Sequence, residues 1–230
     1  MEESQTLKKI FGTIGYILVC IVFVALLVIA IGVLIRTINE EFHRIYLGKY
    51  IVIGFVSFFI LFIIPRVRCN VRWSMKFAHE FSHLFFAILF FRKIVRFKVD
   101  QRDSHVVYSG GWFGYHAITL SPYCIPIYTL ALFPWRFTVD SLLFLSVIDI
   151  LIGFTFAFYI CCWVKQIRLS QTDIIGPGRI KSLLIIAFFQ IVSFCLIVQA
   201  PSSGIEKTLL RVFNHYPCDV INAILTFIKG

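Results

Sequence analysis

Charge is scarce in this chain, and negative charge scarcest. Asp, Glu, Lys and Arg make up 15% of the 230 residues, with only 12 acids against 22 Lys and Arg. Globular domains carry roughly 25% charged residues. Low charge together with 59% hydrophobic residues and 26 Phe excludes a soluble domain of this size and fits a polytopic membrane protein. Cysteine supplies no disulfide framework. Cys20, Cys124, Cys161, Cys162 and Cys195 lie in apolar runs, where free Cys behaves as a small hydrophobe, and no Cys-x-x-Cys pair exists. Internal repeats and low-complexity tracts are also missing. The first apolar run, residues 10–35, is far too long for the core of a signal peptide and reads as a retained anchor.

The net charge of +10 and the pI near 9.4 do not indicate nucleic acid. The basic residues gather at the ends of apolar runs, as in Arg66, Arg68, Arg72 and Lys76, and again in Arg92, Lys93, Arg96 and Lys98. Membrane proteins place Lys and Arg there, beside lipid headgroups. The partners expected are therefore a lipid bilayer and a membrane-anchored protein substrate, with no nucleic acid.

Hydropathy gives an all-α polytopic membrane protein of about six transmembrane segments: 10–35, 50–64, 73–91, 117–133, 141–163 and 180–200. The second is closed by Pro65 and is short for a full span, which leaves an earlier start near residue 45 as the alternative. The fourth is interrupted by Pro122 and Pro126. Residues 1–72 then form an anchor region of two segments, 73–200 a core, and 201–230 a tail. In the tail Ile205, Leu209, Val212 and Phe213 recur at helical spacing with Glu206, Lys207 and Arg211 between them, which predicts an amphipathic helix on the membrane surface. Alternate loops carry nearly balanced Lys and Arg, so the positive-inside rule assigns no orientation. The chain reads as a multi-pass integral membrane protein, of the cell membrane in a bacterial host.

After the third segment the period changes. Val95, Phe97 and Val99 alternate with Arg96, Lys98 and Asp100; residues 101–104 read as a turn; Val106 and Tyr108 resume the alternation, and Gly110-Gly111 ends it. This predicts a small β-hairpin, whose edge would hold an extended peptide by main-chain pairing.

One motif carries chemistry. His79-Glu80-Phe81-Ser82-His83 is an H-E-x-x-H sequence inside an apolar run. On a helix, positions i and i+4 share a face, so both imidazoles can reach one metal ion, and two neutral imidazoles suit Zn²⁺. Glu80 stands beside the first ligand, where a general base toward an attacking water is needed. Ionisable groups within a membrane segment are expensive and usually mark function. A hydrogen-bonded polar cluster in a transporter subunit or a pseudoprotease chaperone is the rival reading.

A catalytic zinc site needs a third protein ligand, and the sequence leaves Asp173, Asp149 and His116 as candidates. Gly176, Pro177 and Gly178 allow the chain to turn near Asp173. Asp149 lies within the fifth segment, where an unpaired carboxylate is costly. Counting crossings favours Asp149 unless the Pro122–Pro126 segment is broken or re-entrant.

The motif in its apolar helix and the strand pair behind it resemble the site-2 protease family of intramembrane zinc metalloproteases. The resemblance is extended by Ser121-Pro122-Tyr123-Cys124-Ile125-Pro126 and by Gln171-Thr172-Asp173, and covers residues 73–200. It implies zinc held by His79, His83 and Asp173, with Glu80 as general base and a zinc endopeptidase activity on peptide bonds in or near transmembrane segments. The chain departs from the family pattern at two points. Ile174-Ile175-Gly176 follows Asp173 where the family has Gly, and no Asn lies between Asn70 and Asn214. His116, Tyr123 and Gln171 are the candidates for stabilising the oxyanion.

Overall fold

The computed structural model describes residues 2–42, 48–100, 104–111, 113–201 and 205–229. It is mostly helical, with one two-stranded sheet. Three helices are long and apolar enough to cross a membrane: Ile10–Glu40 within α1 (Glu2–Phe42), α7 (Leu142–Gln166) and α9 (Arg179–Gln199). Two bent pairs raise the number to five. The first joins α2 (Lys49–Ile63) to α3 (Pro65–Leu89) at 99°, and the second joins α4 (Tyr115–Cys124) to Ile127–Thr138, containing α5 (Ile127–Leu130) and α6 (Phe133–Thr138), at 79°. The expected second and third segments thus belong to one bent pair, so three to five candidate spans stand where the hydropathy reading has six.

Both bends have a local cause in proline. A residue before Pro is pushed out of the helical region, and Ile64 sits at φ −68°, ψ 119°, with Pro65 as the first residue of α3. Ile125, before Pro126, is extended in the same way at φ −128°, ψ 117°. α3 therefore begins eight residues before position 73. Its first two turns carry Arg66, Arg68 and Arg72, which hide the helix from a hydropathy reading.

α7 is the centre of packing. α2 lies against it so closely that Gly54 meets the carbonyl of Ile150 and Gly153 meets the carbonyl of Ile51; neither contact has room for a Cβ. Small residues that let two backbones touch are the usual device of packed membrane helices. Beside the contact, the buried Phe58 is surrounded by Phe59, Phe62, Phe154 and Phe158. α1 packs on α9.

The tail is helical as the spacing predicts: α10 (Ile205–Leu210), a π-helical turn (Arg211–His215) and α11 (Tyr216–Lys229). Part of its apolar face is spent on the protein. Val212 and Tyr216 are buried in a cluster with Val33 and Cys195. Asp219 pairs with Arg36 at 3.1 Å, and the Tyr216 hydroxyl donates to Glu40 at 2.7 Å.

The hairpin is present. β1 (Lys93–Lys98) pairs antiparallel with β2 (His105–Ser109), with an irregularity between Ile94 and Arg96 that displaces Val95 from the alternation. The expected turn residues 101–103 lie outside the described residues. Both strands rest on α3, so the sheet stands beside the motif helix.

Candidate metal centre

Three side chains from two elements converge. α3 places His79 and His83 one turn apart, both buried, with their Nε2 atoms 3.3 Å from each other. Asp173 arrives from α8 (Thr172–Ile175), its Oδ2 lying 3.4 Å from His79 Nε2 and 3.5 Å from His83 Nε2. Among the described residues this is the one group of three His, Cys, Asp or Glu side chains able to share an ion.

The sequence around Asp173 explains its reach. Ile174 is fully buried and anchors the single turn, and the Ser182 hydroxyl donates to its carbonyl at 3.0 Å. Gly178, at φ +104°, makes the reversal into α9 that a side chain would resist. The Tyr123 hydroxyl lies 3.2 Å from Asp173 Oδ2 and 3.0 Å from Gln171 Oε1, bridging the loop to α4. Burial opposes the charge on Asp173. Hydrogen bonds and attraction from His79 and His83 outweigh that burial and hold the carboxyl well below the usual carboxylate range.

His83 is held from behind by a proline. Pro122 lies inside α4 and has no N–H, so the carbonyl of Ile118, four residues earlier, lacks its helical donor. That carbonyl instead accepts from His83 Nδ1 at 2.8 Å and from the Ser121 hydroxyl at 2.8 Å. This bond on Nδ1 fixes the ring so that Nε2 faces His79 and Asp173. Metal-binding histidines are commonly oriented this way, by an N–H on the far side of the ring.

The donor set fits zinc. Bond lengths of about 2.0–2.1 Å in a tetrahedron place neighbouring donors about 3.3–3.4 Å apart. The three observed separations are 3.3, 3.4 and 3.5 Å. Two imidazoles and one carboxylate leave a fourth position free, which is the donor count of a catalytic rather than a structural zinc site.

A cavity of ≈ 360 Å³ opens on these atoms, lined among others by Glu80, His105, Tyr108, Thr119 and Gln171. Glu80 thus lines the cavity together with both histidines, and His105, Val106 and Tyr108 of β2 line it too. Burial pushes the Tyr108 hydroxyl up, which keeps it a neutral donor.

The other candidates lie elsewhere. Asp149 is buried against Arg136, whose Nε donates to its Oδ1 at 2.6 Å, so the cost of that carboxylate is met without the histidines. His116 Nε2 lies 3.0 Å from Lys181 Nζ and does not line the cavity. Of the three oxyanion candidates, Tyr123 is engaged with Asp173, and Gln171 alone lines the cavity. Sequence reasoning missed the Ile118 carbonyl. Its signal was present, since a proline within an apolar helix frees the carbonyl four residues before it. Comparison with protein-family models, with curated proteins and with solved structures returns no match.

Proposed function

We propose that this chain is a zinc-dependent endopeptidase of the site-2 protease kind, cleaving peptide bonds in or near the transmembrane segments of membrane-anchored substrates. The observation that carries the reading is the convergence of His79, His83 and Asp173 at the separations of a tetrahedral zinc site, with Glu80 lining the same cavity. In the bilayer, α1, α7 and α9 cross, and the two bent pairs bring α3 and α4 to the site between them.

Zinc, when held by the two imidazoles and the Asp173 carboxylate, polarises a peptide carbonyl and makes water a stronger acid. The protein does the rest. Glu80 takes the proton from the attacking water through its carboxylate and returns it to the leaving amine nitrogen, acting as base and then as acid. Tyr123 faces the amide oxygen of Gln171, which leaves the amide N–H groups for the cavity. Gln171 is therefore the group we assign to the developing oxyanion. The edge of β2 away from β1 holds the substrate extended, because only an extended backbone offers main-chain donors and acceptors to a strand.

The test uses the full chain purified in detergent. About one zinc per chain is expected by metal analysis, lost in His79→Ala and in His83→Ala. Reconstituted in liposomes with a membrane-anchored peptide, the wild type cleaves and Glu80→Gln does not. Full zinc occupancy in both histidine variants would remove the site, and cleavage by Glu80→Gln at the wild-type rate would remove the mechanism.

A further inference from the structure

The two histidines are anchored unequally within the protein. His83 Nδ1 has the Ile118 carbonyl, whereas His79 Nδ1 is buried and, among the described residues, has no hydrogen-bond partner. A buried donor or acceptor left in this state costs about 1–3 kcal/mol, so native proteins rarely leave one. A second buried polar atom in the same condition is the Tyr128 hydroxyl, on α5. Both residues line one small cavity, which Glu80, His83 and Asp173 do not line.

The size of that cavity is informative. It measures ≈ 10 Å³ in the space open to a water-sized probe, and about 10–15 Å³ by that measure holds one water molecule. Its wall is mostly apolar, and beside His79 and Tyr128 it carries the polar side chains of Ser82 and Gln166. The Ser82 hydroxyl gives its proton to the Ala78 carbonyl at 2.9 Å and keeps its lone pairs. The Gln166 amide nitrogen donates to the Met75 carbonyl at 3.0 Å, which leaves its oxygen as an acceptor. Tyr128 cannot swing away, since its ring is packed against Phe81 and edge-on to Phe158.

We propose that this cavity is a binding site for one internal water, which accepts from His79 Nδ1 and is held in turn by Tyr128. Tyr128 is then a positioning residue that acts on the metal centre through the water and touches neither metal nor substrate. The water is the counterpart of the Ile118 carbonyl: one histidine is oriented by a backbone oxygen freed by proline, the other by a solvent oxygen. Its effect on metal binding rests on the zinc reading; its existence does not.

Two measurements separate these. A high-resolution crystal structure of the metal-free protein should show a water within hydrogen-bond distance of both His79 Nδ1 and Tyr128 Oη. A dry cavity, or a direct protein partner on Nδ1, would overturn the proposal whether or not the protein binds zinc. In a chelator competition, Tyr128→Phe should bind zinc about ten-fold more weakly than the wild type, the usual loss when an outer partner of a ligand is removed. The thermal unfolding of the two should coincide, because the ring and its packing are kept. Equal zinc affinity in Tyr128→Phe would overturn the positioning role. Absence of zinc binding in the wild type would overturn the proposed function and the positioning role together, while the crystal structure would still decide the water.

Discussion

Pro122→Ala tests the link between fold and chemistry most sharply, because stability and function should respond differently. The Pro122 ring denies the Ile118 carbonyl its helical donor, and His83 takes the acceptor. Alanine restores an N–H aimed at that carbonyl, and three donors then compete for two lone pairs. The stability terms offset. A proline inside a helix is about 3 kcal/mol worse than alanine. Against that gain, the buried ring contributes roughly two carbons at about 0.8 kcal/mol each. The added freedom of the unfolded chain takes back roughly 0.4–1 kcal/mol. The net change is about 1 kcal/mol or less, a small shift in thermal unfolding.

Metal affinity has no such offset. Loss of an outer hydrogen bond to a ligating histidine typically costs 10–100-fold, or about 1.4–2.8 kcal/mol. The assay is zinc competition against a chromophoric chelator, run on wild type, Pro122→Ala and Ser121→Ala in the same detergent. Ser121→Ala is the control, since it removes a competing donor from the Ile118 carbonyl and leaves the bond from His83 intact. Pro122→Ala should bind zinc at least ten-fold more weakly with near-normal unfolding, and Ser121→Ala should match the wild type. Unchanged affinity in a well-folded Pro122→Ala would refute the idea that proline positions the histidine.

Other outcomes are expected on the same reasoning. Glu80→Gln should keep zinc at wild-type occupancy and lose cleavage, measured by metal analysis beside a proteoliposome assay, because glutamine cannot accept the proton. Asp173→Asn should weaken zinc binding, whereas Asp149→Asn should retain zinc and lose stability by up to about 3–5 kcal/mol, the cost of a half-buried arginine that loses its counter-charge and keeps only the Pro201 carbonyl. Equal zinc loss in the two variants would break the assignment of the third ligand. Gly54→Leu should lower the detergent melting temperature by the equivalent of about 1–3 kcal/mol or more, as α2 is forced off α7; an unchanged melting curve would contradict the close contact seen at Ile150.

What the sequence disclosed depended on how local the signal was. The i, i+4 placement of His79 and His83 needs only one helical turn, and the hairpin needs only two alternating runs, so both were legible. Span counting was less secure. Hydropathy sees apolar runs and not their directions, and at Pro65 two runs meet at 99°. The tail showed its helical spacing but not which neighbours would cover it, since Val33 and Cys195 lie at least seventeen residues from Val212 along the chain.

The carboxylate that meets the two histidines shows the limit most clearly. Burial cost pointed to Asp149 with sound physics, because a carboxylate at that depth does need a partner. The partner is Arg136, thirteen residues earlier and on another helix. A cost argument identifies the need for a partner and cannot choose among remote ones. Asp173 had the opposite problem. Its loop could turn, but its route to the histidines depended on whether the fourth segment ran straight. The 79° bend at Ile125-Pro126 removes the straight crossing on which the count against Asp173 rested. Pro122 and Pro126 were visible in the sequence as interruptions, yet they act in different ways. Pro126 redirects the chain, while Pro122 leaves α4 helical and frees one carbonyl. Telling a proline that bends from a proline that frees an acceptor requires knowing what faces that acceptor, and the facing group is His83, thirty-five residues away.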